Sequence, residues 1–187
     1  EASNPDAPPF SLKEVESFYK EAVDSGNEGL MIKKLDAPYK PGARVGFMCK
    51  LKSEQEAFDL IIIKSEWGEG KRSKWLSSYT LACRNKDNFL EVGKASTGLK
   101  EKREEGLSFA EMTDLLKPLI KREEGKEVTV KPKVVIEVGY EEIQKSPTYS
   151  SGYALRFPRV LVLRRDKSPN DATTLDMIKE AYRKQKK

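Results

Sequence analysis

Hydrophobic positions near the amino terminus recur at helical spacing. Five of them follow one another at intervals that place side chains on one face of a helix, namely Leu12, Val15, Phe18, Tyr19 and Ala22. Ser11 and Glu14 form a capping box at the start of this run, and Gly26 follows its end. We expect a helix whose apolar stripe packs in a core, preceded by an irregular lead-in at residues 1–10.

Two short strand patterns follow this helix. Glu28 to Lys33 and Phe47 to Lys52 are mainly apolar runs that end in lysine, and a Pro41-Gly42 turn lies between them. A helix and a hairpin are too small to fold alone, so we expect them to belong to a larger domain. The polar stretch Ser53 to Glu56 then predicts a linker.

The remainder of the chain is dominated by strand patterns. β-Branched and aromatic residues bounded by Gly, Asn or Pro mark Phe58 to Lys64, Ser78 to Arg84, Phe89 to Ala95, Glu127 to Tyr140 (two pieces or one bent strand) and Tyr153 to Leu163. A capping box at Ser108 and Glu111 begins a helix that Gly125 closes, and a last helix spans about Thr173 to Lys184.

The order of these elements predicts the fold class. About five strands with a helix between the third and the fourth is the arrangement of an OB-fold, a small Greek-key barrel that often binds nucleic acid. We therefore predict a mainly β fold with some helix. Residues 1–53 would form one unit, and residues 54–187 would form the OB-fold domain.

Composition indicates in which cell compartment the protein is found. Hydrophobic residues make up 37% of the chain and charged residues 35%, and no apolar run approaches the roughly 20 residues that span a bilayer. From this sequence we expect neither a membrane span nor a secretory signal. Cys49 and Cys83 lack the spacing of a zinc site or a disulfide framework. We expect an intracellular protein, cytoplasmic or, in a eukaryote, nuclear.

The absence of histidine limits the chemistry. With 0 histidines among 187 residues, catalytic triads, imidazole bases and most transition-metal sites are excluded. Lysine, arginine and carboxylates must carry any reaction, and a hard cation such as Mg²⁺, which prefers oxygen ligands, is compatible with this composition. The net charge of +5 favours a polyanionic partner.

The first candidate site lies on the two short strands. Strand alternation in "MCKLK" places Lys50 and Lys52 on one face, where two ammonium groups repel unless an anion such as phosphate lies between them. Two solvated lysines on an edge strand are an equally good explanation. Glu28 and Lys33 would face opposite ways unless Gly29 hosts a bulge, so Glu28 is the stronger candidate.

The second candidate site is the basic run "RFPRVLVLRRDK" at residues 156–167. Pro158 restricts this strand to a sheet edge or a strand start. Alternation would place Arg156, Arg164 and Asp166 on one side, and Arg159 and Lys167 on the other. Guanidinium groups presented on an edge strand suit phosphates, although charges also protect edges from aggregation.

These runs resemble a known family. "EGLMIK", "KLK" and "RFPRVLVLRRDK" are similar, in order and spacing, to motifs IV, V and VI of ATP-dependent DNA ligases of the archaeal and eukaryal type. Further stretches also resemble that family: "LDAPYKPG", "EWGEGKR", "FLEVGKASTGL", "KPKVVIEVGYEEIQKSPTYSSGYALRFPR" and "DKSPNDATT". The resemblance spans nearly the whole chain from about Phe18 onward.

The resemblance implies the end of an ATP-grasp-like nucleotidyltransferase (adenylation) domain, followed by the OB-fold domain. It implies nick sealing in DNA replication, repair and recombination, with ATP and Mg²⁺ as cofactors and nicked duplex DNA as substrate. Glu28 would work with the metal, and Lys50 and Lys52 would contact the phosphates, with Lys33 as a further ATP-binding candidate. The motif VI residues Arg159, Arg164, Asp166 and Lys167 would orient the pyrophosphate end of ATP.

Two departures from the family pattern stand out. Met48-Cys49 precedes the motif V lysines where Trp-Leu is usual, and no KxDG motif, which would hold the nucleophilic lysine, occurs in the chain. The chain also begins at Glu1 without methionine, so we expect a carboxy-terminal fragment that is inactive alone. A sliding clamp would be a partner of the missing amino-terminal part.

Two alternatives remain open from the sequence. A plain OB-fold module could bind nucleic acid through Lys71, Arg72 and Lys74 beside Trp67 and Trp75, but it would not explain residues 28–52. RNA ligation or RNA capping shares the same nucleotidyl-transfer logic. Only the length of the stretch that resembles DNA ligases argues against it.

Overall fold

The computed structural model describes residues 11–38, 41, 46–52 and 57–185. The chain divides into two compact units, Glu1–Ser53 and Glu54–Lys187. The predicted lead-in at residues 1–10, the linker Ser53 to Glu56 and Gly42 of the predicted turn lie outside the described residues. None of the helices in the described ranges is long and apolar enough to cross a membrane.

The first unit contains the predicted helix and hairpin. Helix α1 spans Leu12–Asp24, and its capping box forms as predicted: the Glu14 amide donates to Ser11 Oγ at 3.3 Å, and the Ser11 amide donates to Glu14 Oε2 at 2.7 Å. Strand β1 (Gly29–Lys33) pairs antiparallel with β2 (Met48–Lys52). Gly29 pairs in register with Lys52, so no bulge reorients Glu28 relative to Lys33.

The apolar stripe of α1 is not the buried core that its spacing predicts. Ala22 is buried at 9% exposure, whereas Leu12 is 74% exposed and Phe18 is 59% exposed. A helix buries its apolar face only where another element covers it. The two-stranded sheet of this unit offers too little surface to cover three turns of helix, which explains the difference.

The second unit contains nine strands and two helices within the described residues. The elements are β3 (Phe58–Trp67), β4 (Leu76–Asn85), β5 (Asn88–Ala95), α2 (Phe109–Leu116), β6 (Ile120–Glu124), β7 (Glu127–Val130), β8 (Val135–Gly139), β9 (Glu142–Lys145), β10 (Tyr153–Arg156), β11 (Arg159–Leu163) and α3 (Leu175–Lys184). The main sheet runs β11-β8-β3-β4-β5, with β7 also on β3, β6 on β7, and β9 paired with β10 in a separate ribbon.

Strand β3 organises this sheet. Its first half pairs with β8 and its second half with β7, while β4 runs along its other edge. Apolar side chains from both sheet and helix meet in one core, including Leu60, Tyr79, Leu81, Phe109, Met112, Leu116 and Ile136. The predicted mainly β OB-fold is confirmed, and the Glu127 to Tyr140 run is two strands.

The second predicted helix is shorter than expected. Helix α2 begins after the Ser108 cap but ends at Leu116, and a single 3₁₀ turn, Lys117–Leu119, follows it. Gly125, predicted to close the helix, has φ +60° and lies instead in the turn between β6 and β7. Strand β6 escaped prediction because its sequence "IKREE" is charged and largely exposed.

The run Tyr153 to Leu163 is two strands rather than one. Phe157 adopts φ +49°, which ends β10, and Pro158 has no N–H with which to continue a ladder. Strand β11 begins at the next residue and lies at the edge of the main sheet, as Pro158 predicts. The polar strand β9, which pairs with β10, was not predicted from the sequence.

Candidate functional site

The hairpin of the first unit brings predicted site residues together. Met31 pairs directly with Lys50, and Lys33 pairs with Met48. Because directly paired residues project from the same face of an antiparallel pair, Lys33 shares a face with Lys50. Both lysines are exposed. Lys52 lies opposite Gly29 at the end of β2.

A shallow cleft opens along this hairpin. Its volume is about 170 Å³, and its lining residues are Glu28, Gly29, Leu30, Met31, Lys50 and Leu51. Glu28 and Lys50 thus contribute opposite charges to one cleft, although they lie 22 positions apart in the sequence. A cleft lined by both a glutamate and a lysine suits a phosphate that arrives with a divalent cation.

The described residues contain no cluster of side chains that could hold a metal ion without further ligands. No group of three or more Cys, Asp or Glu side chains within the described ranges could hold a metal ion. Mg²⁺ commonly binds through one or two carboxylates, with water and substrate phosphates completing its shell. The carboxylate residue Glu28 in the lining of this cleft is consistent with that mode of binding.

The second group of predicted residues surrounds the end of β11. The amide of Lys167 donates to the carbonyl of Arg164 at 3.3 Å, which closes a turn after the strand. This turn ends the alternation and brings Lys167 to the same side as Arg164, where both reach Asp59. The predicted separation of Arg164 and Asp166 from Lys167 is therefore wrong.

Arg164 is the centre of an ion-pair network. Its Nη1 lies 3.0 Å from Asp59 Oδ1 and 3.3 Å from Glu137 Oε2. Its Nε and Nη2 bind the two carboxylate oxygens of Asp166 at 3.0 and 2.7 Å. This hydrogen bonding by Arg164 lowers the pKa of Asp166 to about 2, and the bonds to Asp166 raise the pKa of Arg164 further.

Sheet register explains why these charges meet. Asp59 on β3 pairs directly with Glu137 on β8, and Glu137 pairs with Val162 on β11. Two carboxylates directly opposite each other repel, and the Arg164 guanidinium, two residues beyond Val162, bonds to both.

Arg159 begins β11 at the sheet edge, while Arg156 lies on β10 and pairs with Glu142 at 3.2 Å.

The loop between β3 and β4 holds the predicted DNA-binding residues. Lys71 and Lys74 are exposed. Arg72 instead binds Glu101 at 2.9 Å and lies 4.5 Å from the centre of the Phe109 ring. These contacts tie Arg72 to the surface of its own unit.

Both tryptophans beside this loop pack against the core. The Trp67 indole donates to Glu123 at 2.8 Å, and Trp75 stacks on Phe109 with ring centres 6.3 Å apart. Both rings are therefore partly buried and held by contacts within their own unit.

Comparison with known families identifies the chain. Residues 72–167 match the model of the ATP dependent DNA ligase C terminal region, and residues 10–52 match that of the ATP dependent DNA ligase domain. The chain belongs to the ATP-dependent DNA ligase family. The two matches lie on either side of the boundary between the compact units.

Relatives among the archaea support this membership. The chain is 54% identical to a DNA ligase of Nanoarchaeum equitans over 93% of its own length and 31% of that protein's length. It is 49% identical to a DNA ligase of Thermococcus fumicolans over 91% of its own length and 30% of that protein's. The chain therefore spans about a third of the length of these ligases.

Solved structures give the same result at the level of fold. The ligase domain of M. tuberculosis LigD shares 27% sequence identity with the chain, with a TM-score of 0.54 over 83% of this chain and 50% of that one. A structure named Pmar-Lig_PreS3 has the same TM-score at 22% identity, over 81% of this chain and 30% of that one. The latter likeness concerns the fold alone.

Sequence reasoning missed the acidic partners of the basic motif at residues 156–167. Asp59 and Glu137 lie far from motif VI in sequence and were not predicted as site residues. Asp59 nevertheless carries a signal, because it is the only charged residue between Phe58 and Ile63. A lone carboxylate in an apolar strand requires a partner, and here its partners are Arg164 and Lys167.

Proposed function

We propose that this chain is the carboxy-terminal part of an enzyme that uses ATP to seal nicks in duplex DNA. Its first unit would end the adenylation domain, and its second unit would be the OB-fold domain. One observation carries the proposal: the chain matches both ligase models in order. In addition, Glu28 and Lys50 of the first match line one cleft.

The cleft residues have distinct proposed roles. Glu28 would bind Mg²⁺, which neutralises charge on a reacting phosphoryl group. Lys50, Lys52 and Lys33 would bind the phosphate oxygens of ATP, since each lysine ammonium offers three donors. The shared face of Lys33 and Lys50 supports this assignment.

The motif VI residues would act on the pyrophosphate end of ATP. Arg159 and Lys167 would contribute positive charge, while Arg164 and Asp166 would hold the turn after β11 in shape. The bidentate pairing of Arg164 with Asp166 supports the second role. Phosphoryl transfer depends largely on positioned charge of this kind.

A chimeric ligase tests the proposal. In this chimera, the present chain replaces the matching segment of the Nanoarchaeum equitans relative, to which it is 54% identical. We expect the chimera to seal a nicked DNA duplex in the presence of ATP and Mg²⁺, and to seal a nicked RNA duplex far more slowly. Lys50→Ala should abolish most of this activity, whereas Lys20→Ala, at an exposed position on α1, should not.

The chain by itself provides a further check. Because it lacks a KxDG lysine, it should form no covalent AMP adduct with labelled ATP, whereas the chimera should form one. A folded chimera that takes up AMP but seals RNA as fast as DNA would contradict the proposed substrate. A covalent AMP adduct on a lysine of the isolated chain would contradict the proposed division of roles.

A further inference from the structure

Asp59 lies between two cations of motif VI, Arg164 and Lys167. Its Oδ1 accepts from Arg164 Nη1 at 3.0 Å, and its Oδ2 accepts from Lys167 Nζ. Only 16% of its side chain is exposed, against 29% for that of Lys167. The Asp59 side chain is therefore the more buried of the pair, and the Lys167 side chain remains partly open to solvent.

The backbone around Asp59 is fixed on both sides. Its amide donates to Thr173 Oγ1 at 3.0 Å, and its carbonyl accepts from the Thr173 amide at 2.8 Å. Along β3 its neighbours Phe58 and Leu60 pair with β8 and are buried. The Asp59 carboxylate is consequently a fixed point within the sheet.

Lys167, in contrast, follows a turn and has a long side chain. A lysine ammonium on a four-carbon stem loses much rotamer freedom when it is held in one place. Pairing with a fixed carboxylate restricts it before any ligand arrives, and only one of its three donors is needed for that bond. Two donors are left for an anion.

We propose that Asp59 is a positioning residue, which holds the Lys167 ammonium ready to bind the phosphates of ATP during enzyme adenylylation. This inference rests on the proposed function, in which Lys167 meets the pyrophosphate end of ATP. The opposite possibility is that Asp59 masks Lys167 and competes with phosphate. The two possibilities predict opposite effects of removing the Asp59 carboxylate. Loss of a positioning residue would slow adenylylation, whereas loss of a mask would speed it.

Asp59→Asn is the variant that tests the positioning role most directly. The asparagine oxygen can still accept from Arg164, whereas its amide nitrogen, a donor, would face the Lys167 ammonium. We expect adenylylation of the chimeric ligase to slow by roughly 10-fold to 100-fold, the range for loss of a hydrogen bond to a charged group. Sealing of a nick that already carries 5′-AMP should stay close to the parent rate.

The matched control is Glu66→Gln. Glu66 lies on the same strand and also pairs with a lysine, but that lysine is Lys94 on β5 rather than a residue of motif VI, and the Glu66 side chain is 35% exposed. This variant should leave both steps unchanged. Asp59→Glu, which keeps the charge, should recover part of the adenylylation rate and serves if the asparagine variant does not fold.

A double-mutant cycle identifies the residue through which Asp59 acts. In the Lys167→Ala background, Asp59→Asn should have almost no further effect on adenylylation. Additive losses, equal losses in both steps, or faster adenylylation in Asp59→Asn would each overturn the positioning role. If Lys167→Ala itself leaves adenylylation unchanged, the proposed function of motif VI fails instead.

A measurement on the chain alone is independent of ligase activity. Amine-selective labelling followed by mass spectrometry should modify Lys167 faster in Asp59→Asn than in the parent chain, while the exposed Lys13 on α1 reacts equally in both. Unchanged labelling of Lys167 would show that Asp59 does not restrain it. That outcome would overturn the inference without affecting the proposed function.

Discussion

Gly98 shows how one residue without a side chain supports the motif VI strand. Its φ is +100°, and a Cβ placed on it would overlap the carbonyl oxygen of Val160 and lie 2.7 Å from that residue's nitrogen. The neighbouring carbonyl of Thr97 accepts from the Val160 amide at 2.9 Å. The loop after β5 therefore lies directly against the start of β11, and only glycine allows that approach.

The first prediction follows from this contact. Gly98→Ala should destabilise the fold by about 2 kcal/mol more than Gly106→Ala, because overpacking against backbone adds to the strain of the positive φ. Gly106 is the matched control, since its φ is +124° and a Cβ added there would meet no described atom within 4 Å. Urea unfolding of the chain measures both. Equal losses would mean that β11 moves aside at little cost.

Residue-level prediction from the sequence depends on local rules, and the roles of the predicted site residues stay predictions. Glu28 and Lys50 were singled out by residue type and strand position, and one cleft contains both. Alternation failed beyond Leu163 because the strand ends there and a turn redirects Lys167. The contribution of Asp59 depends on pairing between β3, β8 and β11, which local spacing does not encode.

At the scale of elements, clear sequence patterns predicted the positions of helices and strands correctly, whereas weaker patterns predicted the ends of elements wrongly. The caps Ser11 and Ser108 locate both helix starts, since a capping side chain acts within one turn. Strands β6 and β9 are short and polar, so their pairing comes from neighbouring strands rather than from their own sequence. The break between β10 and β11 depends on the positive φ of Phe157, which the residue type does not predict.

The second prediction contrasts the hairpin of the first unit with the barrel strands. Ile32 on β1 is 44% exposed and Met48 on β2 is 58% exposed, whereas Leu60 on β3 and Leu81 on β4 are at 0%. An isolated two-stranded hairpin is marginal in water. Amide hydrogen exchange in the chain should therefore be much faster for β1 and β2 than for β3 and β4. Comparable protection in both sets would contradict this assignment of local stability.

At the scale of the whole molecule, charge predicts a weak and general affinity for DNA. The net charge of +5 comes from 35 basic and 30 acidic residues, and many of these pair with one another, as Arg72 does with Glu101. Backbone contacts from the remaining lysines and arginines would not depend on base sequence. The proposed sealing of nicks, which must occur at any sequence, agrees with such contacts.

The third prediction concerns this affinity. Binding of the chain to a nicked duplex should fall roughly tenfold or more between about 50 and 200 mM salt, with little dependence on sequence. Replacing both Lys71 and Lys74 by alanine should flatten the salt dependence. Replacing Lys13 and Lys20, which are also exposed, removes the same charge and should flatten it less. Salt-independent binding, or a strong preference for one sequence, would contradict the prediction.

The fourth prediction concerns Lys167 in the chimeric ligase. The β and γ phosphates of ATP are present only during enzyme adenylylation, so a residue that binds them contributes to that step alone. Lys167→Ala should slow adenylylation by roughly 30-fold to 1,000-fold, the range for loss of one positioned charge contact in such a site. Its effect on later steps should be small.

Single-turnover kinetics of the Lys167→Ala chimera on two substrates is the most direct test that this chain handles the phosphates of ATP for a DNA ligase. One reaction starts from ATP and unmodified enzyme, and the other starts from a nicked duplex that already carries 5′-AMP. We expect the first to slow by the stated factor, while the second proceeds close to the parent rate. If the two reactions slow equally, or if neither slows, Lys167 does not act on ATP and its proposed role is contradicted.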